Sequence, residues 1–478
     1  MSRRRRFLAA LGGGLSLAGC LRLEGGEGTT VERTTGTAGP SPSSTAAPTT
    51  EAPTEEPTDE PTEGDPEPVT ALSGTWEQFR GDARNTGVSG EASGFSGEPA
   101  ETWRAPAGNH TLLNSSPVVA DGLAYVEVDT GILRAYDTAD GSVAWEQPYP
   151  DGDAEGLGSV AVRDGLVYGG PIDDDVFYAF DAASGAYQWR ASLSTGTFAS
   201  PTVAGDAVYV ASTDGVVYAL DAEDGGERWR YDTGGETVLG TPAVTDGSVY
   251  VASTTPQERP DGVSDLVDEY FYYDQFYQWG DLEEDPLATV VDLDASGTVH
   301  AVDAATGDVR WSTTLPDFVV SSPAVVNGTV YVGCWDGNVY ALDGANGSER
   351  WRAAADAPVS SSPAVADGSV YVGDWSGSLH AFDAASGDRE WFLPVGSHVG
   401  SSPAVVDDTV YVVGDNSAVV AASTSGRVEW RFEGPRGDFN ASSPAVVDES
   451  VLVCGDYPDP DAPDDRDESG ALFRLDAA

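Results

Sequence analysis

The side chains in this sequence best suited to recognition chemistry are aromatic rings set beside carboxylates. Cys334-Trp335-Asp336-Gly337 and Asp374-Trp375-Ser376-Gly377 stand in corresponding places of two similar stretches, and the run Tyr270 to Trp279 reads Tyr-Phe-Tyr-Tyr-Asp-Gln-Phe-Tyr-Gln-Trp. An indole or phenol face can stack on a sugar ring or a peptide segment. A neighbouring carboxylate can accept hydrogen bonds from hydroxyls or amides, which an apolar patch alone would not select. Tyr273, Phe276, Tyr277 and Trp279, together with Trp335, Asp336, Asp374 and Trp375, are therefore the candidate ligand-binding residues. The competing reading is a satellite core, in which the aromatic run packs on its own domain.

Other chemistry has weaker support. Asp459, Asp461, Asp464 and Asp465 lie in an acidic run, 456–470, that could offer several oxygens to Ca²⁺, but their spacing is not that of an EF-hand loop, and a solvated acidic loop is the simpler reading. His300 and His380 occupy the register that holds Tyr218 and Tyr340 in sister stretches, a strand-packing position. His110 and His398 have no third partner at metal-ligand spacing. No nucleophile-elbow, phosphate-loop or dinucleotide pattern stands in a suitable context. Cys334 and Cys454 read as small buried residues rather than a disulfide.

The elements that must position these residues are repeats. SSPAVVNGTVYVGCWDGNVYALDGANGSERW at 321–351 returns as SSPAVADGSVYVGDWSGSLHAFDAASGDREW at 361–391. A catalytic motif is needed once, whereas a unit that cannot bury its own apolar face must stack on copies of itself. Unit starts with proline fall at Pro117, Pro201, Pro242, Pro323, Pro363, Pro403 and Pro444, and Gly158 to Val162 supplies one more without it. Unit-ending tryptophans are Trp103, Trp145, Trp189, Trp229, Trp311, Trp351, Trp391 and Trp430. Short β-branched and aromatic runs between Asp-Gly turns give four antiparallel strands per unit. The fold class is all-β, an eight-bladed β-propeller of four-stranded antiparallel blades. Because Trp103 precedes every start and the last unit has no tryptophan, the N-terminal strand should close the last blade. An insertion at 254–294 interrupts blade 4 where its second strand turns into its third. The corresponding turns of blades 5 and 6 carry Trp335 and Trp375, so all three should share one face.

Composition narrows the partners. The 478 residues hold 79 acidic against 24 basic residues, every basic one an arginine, for a net charge of -55. Such a surface repels polyphosphate, which excludes nucleic acid as a partner. The acidic excess resembles the habit of halophilic archaea.

The termini of the chain add an address. Residues 1–20 have a basic stretch, Arg3 to Arg6, then an apolar run too short to span a bilayer, then small residues before Cys20. Arg4 and Arg5 with Phe7 and Leu8 resemble a twin-arginine export signal, and Leu17-Ala18-Gly19-Cys20 is similar to a lipobox, which implies lipid attachment at Cys20. Residues 21–74 are a Thr/Pro/Glu-rich stalk with too little apolar surface to fold, about 40 Å long as a coil. A lead-in at 75–102 then precedes the propeller at 103–478.

The repeat Ala301-Val302-Asp303-Ala304-Ala305-Thr306-Gly307 before Trp311 resembles the pyrroloquinoline quinone (PQQ)-like propeller repeat, and recurs from 103 to the C-terminus. Members of that family include quinoprotein dehydrogenases and non-catalytic assembly lipoproteins of the BamB type. The dehydrogenases typically hold PQQ over a tryptophan floor, often under a vicinal Cys-Cys ring, with Ca²⁺ bound by Glu, Asn and Asp. This chain has no vicinal cysteines and lacks the long additions of those enzymes. The expectation is a membrane-anchored binding or scaffold propeller on the outer face of the cytoplasmic membrane, without cofactor, whose partner is an envelope protein or glycan. The alternative is a PQQ- and calcium-dependent dehydrogenase of alcohols or sugars.

Overall fold

Each repeat offers strand-forming residues in a fixed rhythm. In blade 5, Ala324–Val326, Thr329–Gly333, Asn338–Asp343 and Glu349–Ala354 follow one another as a meander. The turn between the first two strands holds Asn327 and Gly328 at φ of 50° and 70°, the left-handed pair that a tight hairpin demands. The second and third strands are buried along almost their whole length, and the fourth alternates, with Trp351 inward. In the computed structural model, which describes residues 69–89, 93–95, 97–108, 115–128, 131–150, 158–172, 174–234, 238–256, 295–396, 398–414, 418–434, 442–458 and 468–478, this meander occurs in eight four-stranded antiparallel sheets. The ring closes as the order of landmarks predicts. Strand Pro99–Gly108 pairs antiparallel with Glu468–Ala477 and is the outermost strand of blade 8.

The unit-ending tryptophans join neighbouring blades. Trp351 Nε1 donates to the Ala384 carbonyl of blade 6 at 3.0 Å, and the Tyr331 hydroxyl donates to the same oxygen at 3.1 Å. Gly387, at φ 77°, lies against the indole: a Cβ there would sit 2.8 Å from the ring. The same glycine-on-indole contact recurs from Gly141 on Trp103 round to Gly426 on Trp391. Blade 8 has no such turn. Phe95, from the lead-in, takes its place by stacking on Trp430 at 4.9 Å, accepting its Nε1 proton at 3.3 Å and donating its own N–H to Tyr411.

The two serines of each start do different work. Ser321 Oγ donates to the Gly333 carbonyl and accepts the Gly333 N–H, tying the blade start to its own second strand. Ser361 and Ser401 repeat this. The next serine reaches across blades: Ser322 N–H donates to Ser362 Oγ, Ser362 N–H to Ser402 Oγ, Ser402 N–H to Ser443 Oγ, and Ser443 N–H to Ser116 Oγ, at 2.9 to 3.0 Å. With Ser116 to Ser159, Ser159 to Ser200 and Thr241 to Ser322, the hydroxyls form a belt around the axis, which between blades 3 and 4 is carried instead by Thr202 Oγ1 donating to the Pro242 carbonyl. The serines are thus structural, as the repeat suggests.

The lead-in is part of this ring. Innermost strands have a free edge at the axis, and buried backbone groups there need partners. Residues 76–87 supply them in blade order. Trp76 exchanges two backbone bonds with Val119 of blade 1, the Val162 N–H donates to the Glu77 carbonyl, and the Val203 N–H donates to Gln78 Oε1. Val244, Val325, Val365 and Val405 then donate to the carbonyls of Ala83, Arg84, Thr86 and Gly87. One strap therefore passes blades 1 to 7 in succession.

Candidate functional site

A four-stranded meander returns its second-to-third-strand turns to one face of the disk, together with the connections between blades. On that face Trp335 of blade 5 and Trp375 of blade 6 meet edge to face, with ring centroids 4.6 Å apart. Phe318 continues the row on one side, 5.4 Å from Trp335, and His398 on the other, 5.2 Å from Trp375. Backbone bonds fix the turns: the Trp335 N–H donates to the Phe318 carbonyl and the Trp375 N–H to the Pro358 carbonyl, each at 3.0 Å. Phe318 and His398 carry no repeat signal of their own; each stands a few residues ahead of an SSP start, and that offset is what would have marked them.

The rings are unequal. Trp335 is only 8% exposed and Phe318 is buried, so these two form the floor, while Trp375 and His398 are half-buried and present accessible ring surface. Trp375 Nε1 is held by Ser360 Oγ at 2.9 Å, which sets the ring's orientation.

The two carboxylates differ in kind. Asp336 is half-buried, accepting from the Tyr340 hydroxyl at 2.5 Å and the Asn338 N–H at 3.0 Å. Asp317 lies close enough for its carboxyl to be pushed upward, chiefly by burial and also by the Asp336 charge. Asp374 does not flank the tryptophans as an exposed acceptor, which corrects the sequence expectation. It precedes Trp375 as Cys334 precedes Trp335, so its side chain turns inward, and it is completely buried. There it accepts from His380 Nε2 at 2.9 Å, Ser376 Oγ at 2.7 Å, and the backbone N–H groups of Ser376, Ser378 and Asp356. Burial raises its pKa, but these bonds, His380 first, outweigh it and hold the carboxyl below its ordinary value. Its role is to fix the turn under Trp375.

The histidines of the strands pack as their register implies. His380 pairs across from Val372, as Tyr340 does from Val332. His300 bonds Ser253 Oγ, the Tyr231 hydroxyl and Ser312 Oγ, and burial lowers its pKa to about 4. Cys334 and Cys454 are buried and not joined as a disulfide, and burial pushes the Cys334 thiol well above its usual range.

The insertion is rooted beside the aromatic row. Strands Ser248–Pro256 and Ala295–Asp303 extend the blade 4 hairpin beyond its sisters, up to the pair Pro256 and Ala295. Thr254 Oγ1 accepts the Val319 N–H at 3.3 Å, next to Phe318. Tyr273, Phe276, Tyr277 and Trp279 lie outside the described residues, as do Asp459, Asp461, Asp464, Asp465, His110, Arg4, Arg5 and Cys20.

The sequence has no vicinal cysteines, its two buried thiols are separate, and among the described residues no three His, Cys, Asp or Glu side chains come together as metal ligands.

An eight-bladed propeller of PQQ-like repeats, carrying an aromatic row on the face of its second-to-third-strand turns, is the class of protein these observations define. A family model described as outer membrane protein assembly factor BamB matches residues 94–171, 172–265, 283–347 and 335–457, well over half of the chain. The chain belongs to that family. No curated protein sequence matches it. Among solved structures it is similar to BamB from Moraxella catarrhalis, with 16% identity over 79% of this chain and 97% of that one, at a TM-score of 0.53. It is also similar to quinohemoprotein alcohol dehydrogenase from Comamonas testosteroni, with 14% identity, 84% and 80% coverage, and a TM-score of 0.63. A europium-containing methanol dehydrogenase matches at 14% identity, 84% and 98% coverage, and a TM-score of 0.62. At these identities the likeness shows the fold alone, and function rests on the site.

Proposed function

We propose that this protein is a non-catalytic docking propeller of the cell envelope that holds a segment of an envelope protein on its aromatic face. The observation that carries this reading is the row from Phe318 to His398, continuous with the root of the blade 4 insertion: a rigid floor of two buried rings under an accessible indole. Its family supports a protein partner, since the family's description names an assembly factor. The lead-in enters the propeller away from this row. Ser73 and Gly74 donate their N–H groups to Asp448 in the first turn of blade 8, on the face opposite the row. A stalk anchored through Cys20 after twin-arginine export would tether the propeller to the outer face of the cytoplasmic membrane.

The test is capture from detergent-solubilised envelope in high salt, by wild type and by Trp375→Ala in parallel. The reading expects a protein retained by wild type and lost by the variant, with unchanged melting of the propeller. Retention of a glycan instead would replace the partner class. Dye-linked alcohol oxidation on reconstitution with PQQ and Ca²⁺ would establish the dehydrogenase reading in its place.

A further inference from the structure

Where the strap crosses the axis it leaves one charged group unused. Arg80 has φ 66° and a side chain only 2% exposed. Its Nη1 donates to the Pro403 carbonyl in the wall of the ring, while Nε and Nη2 have no hydrogen-bond partner. The guanidinium is seated closely: Gly87 faces it, and a Cβ there would come within 2.2 Å of Nη2.

No carboxylate among the described residues offsets this charge at contact distance. Asp82 raises the guanidinium's pKa from nearby, but burial prevails and brings it down to about 9. The Asp82 oxygens are engaged by the Arg84 side chain and by the Thr86 hydroxyl and N–H. Arg474, also deeply buried, shows the ordinary solution, with Asp476 at 3.0 Å and the Thr70 and Thr138 carbonyls around it. A buried cation with open donors is heavily penalised unless a counter-charge joins it.

The surroundings can hold one. Pro403 follows Ser402 in the hydroxyl belt, and each belt hydroxyl that accepts a neighbour's N–H keeps its own hydrogen to donate. Asn85, on the same strap, has its Nδ2 shared by the Thr241, Pro242 and Pro323 carbonyls, so the wall of the axis is polar at blades 4 and 5 as well. We infer that the axis of the propeller binds a small monovalent anion of the chloride class, held by Arg80 Nε and Nη2 against the belt at Ser402 and Ser443. A neutral occupant such as water would leave the charge uncompensated. A dianion would exceed the one cation present.

Crystals of the full chain grown in sodium bromide test this directly. The expected result is a bromide anomalous peak in contact with Nε and Nη2; water density there without an anomalous signal would overturn the inference. In solution, melting is followed at fixed ionic strength while chloride is exchanged for gluconate, for wild type and Arg80→Met. Wild type should lose several degrees on the exchange and Arg80→Met should not. An equal loss in both contradicts a site at Arg80. If Arg80→Met does not fold, the bromide map of the native protein decides.

Discussion

Trp351 shows how much one side chain carries in this ring: it fills the gap between blades 5 and 6, donates to Ala384 and provides the floor under Gly387. Trp351→Ala should cost about 3 to 5 kcal/mol in a denaturant titration, and Gly387→Ala should also destabilise, since its Cβ meets indole carbons at a positive φ. On the aromatic face the two tryptophans should separate. Trp335→Ala opens a cavity in a buried floor and should lower stability, whereas Trp375→Ala should spare folding and weaken partner binding by about 1 to 3 kcal/mol. A second residue-scale effect is a pH dependence at Glu127 in blade 1. It is fully buried, takes a hydrogen bond from the Tyr149 hydroxyl, and burial raises its pKa to about 8 although that bond lowers it. The unfolded chain releases this proton near its ordinary value of 4.5. The folded chain therefore holds more protons between about pH 4.5 and 8, and the stability this contributes is full below 4.5 and lost as pH rises through 8. Comparing Glu127→Gln with wild type across that window should show a decline of a few kcal/mol in wild type alone. Much of this scale was legible: the strand histidines and unit-ending tryptophans follow from register. Asp374 did not, because it was matched to Asp336 by residue type, whereas aligning Gly377 on Gly337 puts it two positions earlier, in the place of Cys334, pointing inward.

Among the elements, the repeating strands announced themselves and the strap did not. Repetition with Asp-Gly turns marks a blade wherever it stands, and the absence of a final tryptophan marked the closing strand. Residues 76–89 occur once, are rich in polar types, and follow a stalk of similar composition, so nothing periodic separates them from it. Their apolar residues Trp76 and Phe79, beside Gln78 and Asn85, were the available signal, since isolated aromatics have no use in an unfolded spacer. The strap satisfies inner-strand N–H groups in seven blades, so its removal should be felt by the whole ring. Deleting residues 69–89 while keeping Phe95 and the closing strand should raise amide exchange at Val119, Val203, Val325 and Val405 together, and lower the melting temperature. Exchange that rises in one blade only would show the strap to be a local patch.

For the molecule as a whole, the largest force beyond packing is its own charge. At a net charge of -55, the carboxylates repel one another over a distance that grows to about 30 Å in 0.01 M salt. Surface pairs such as Arg350 with Asp343 are few against that total. Thermal stability should rise steeply from millimolar to molar salt, and a flat profile would set aside the resemblance to halophilic proteins. Architecture was legible at this scale because it is written in counts and order; the partner was not, because docking surfaces need no repeat. The closing pair of strands has a further meaning in time. Pro99–Gly108 leaves the ribosome early and its partner Glu468–Ala477 only after all the other strands of the ring. Until Glu468–Ala477 emerges, blade 8 is incomplete, Trp103 has its blade 1 neighbour but no sheet, and the strap has inner strands arriving one by one along it. Blades can form during synthesis, but the circle cannot. The closing event of ring formation is then fixed by topology, and a nascent chain released before Glu468 would remain an open arc with two unpaired edges.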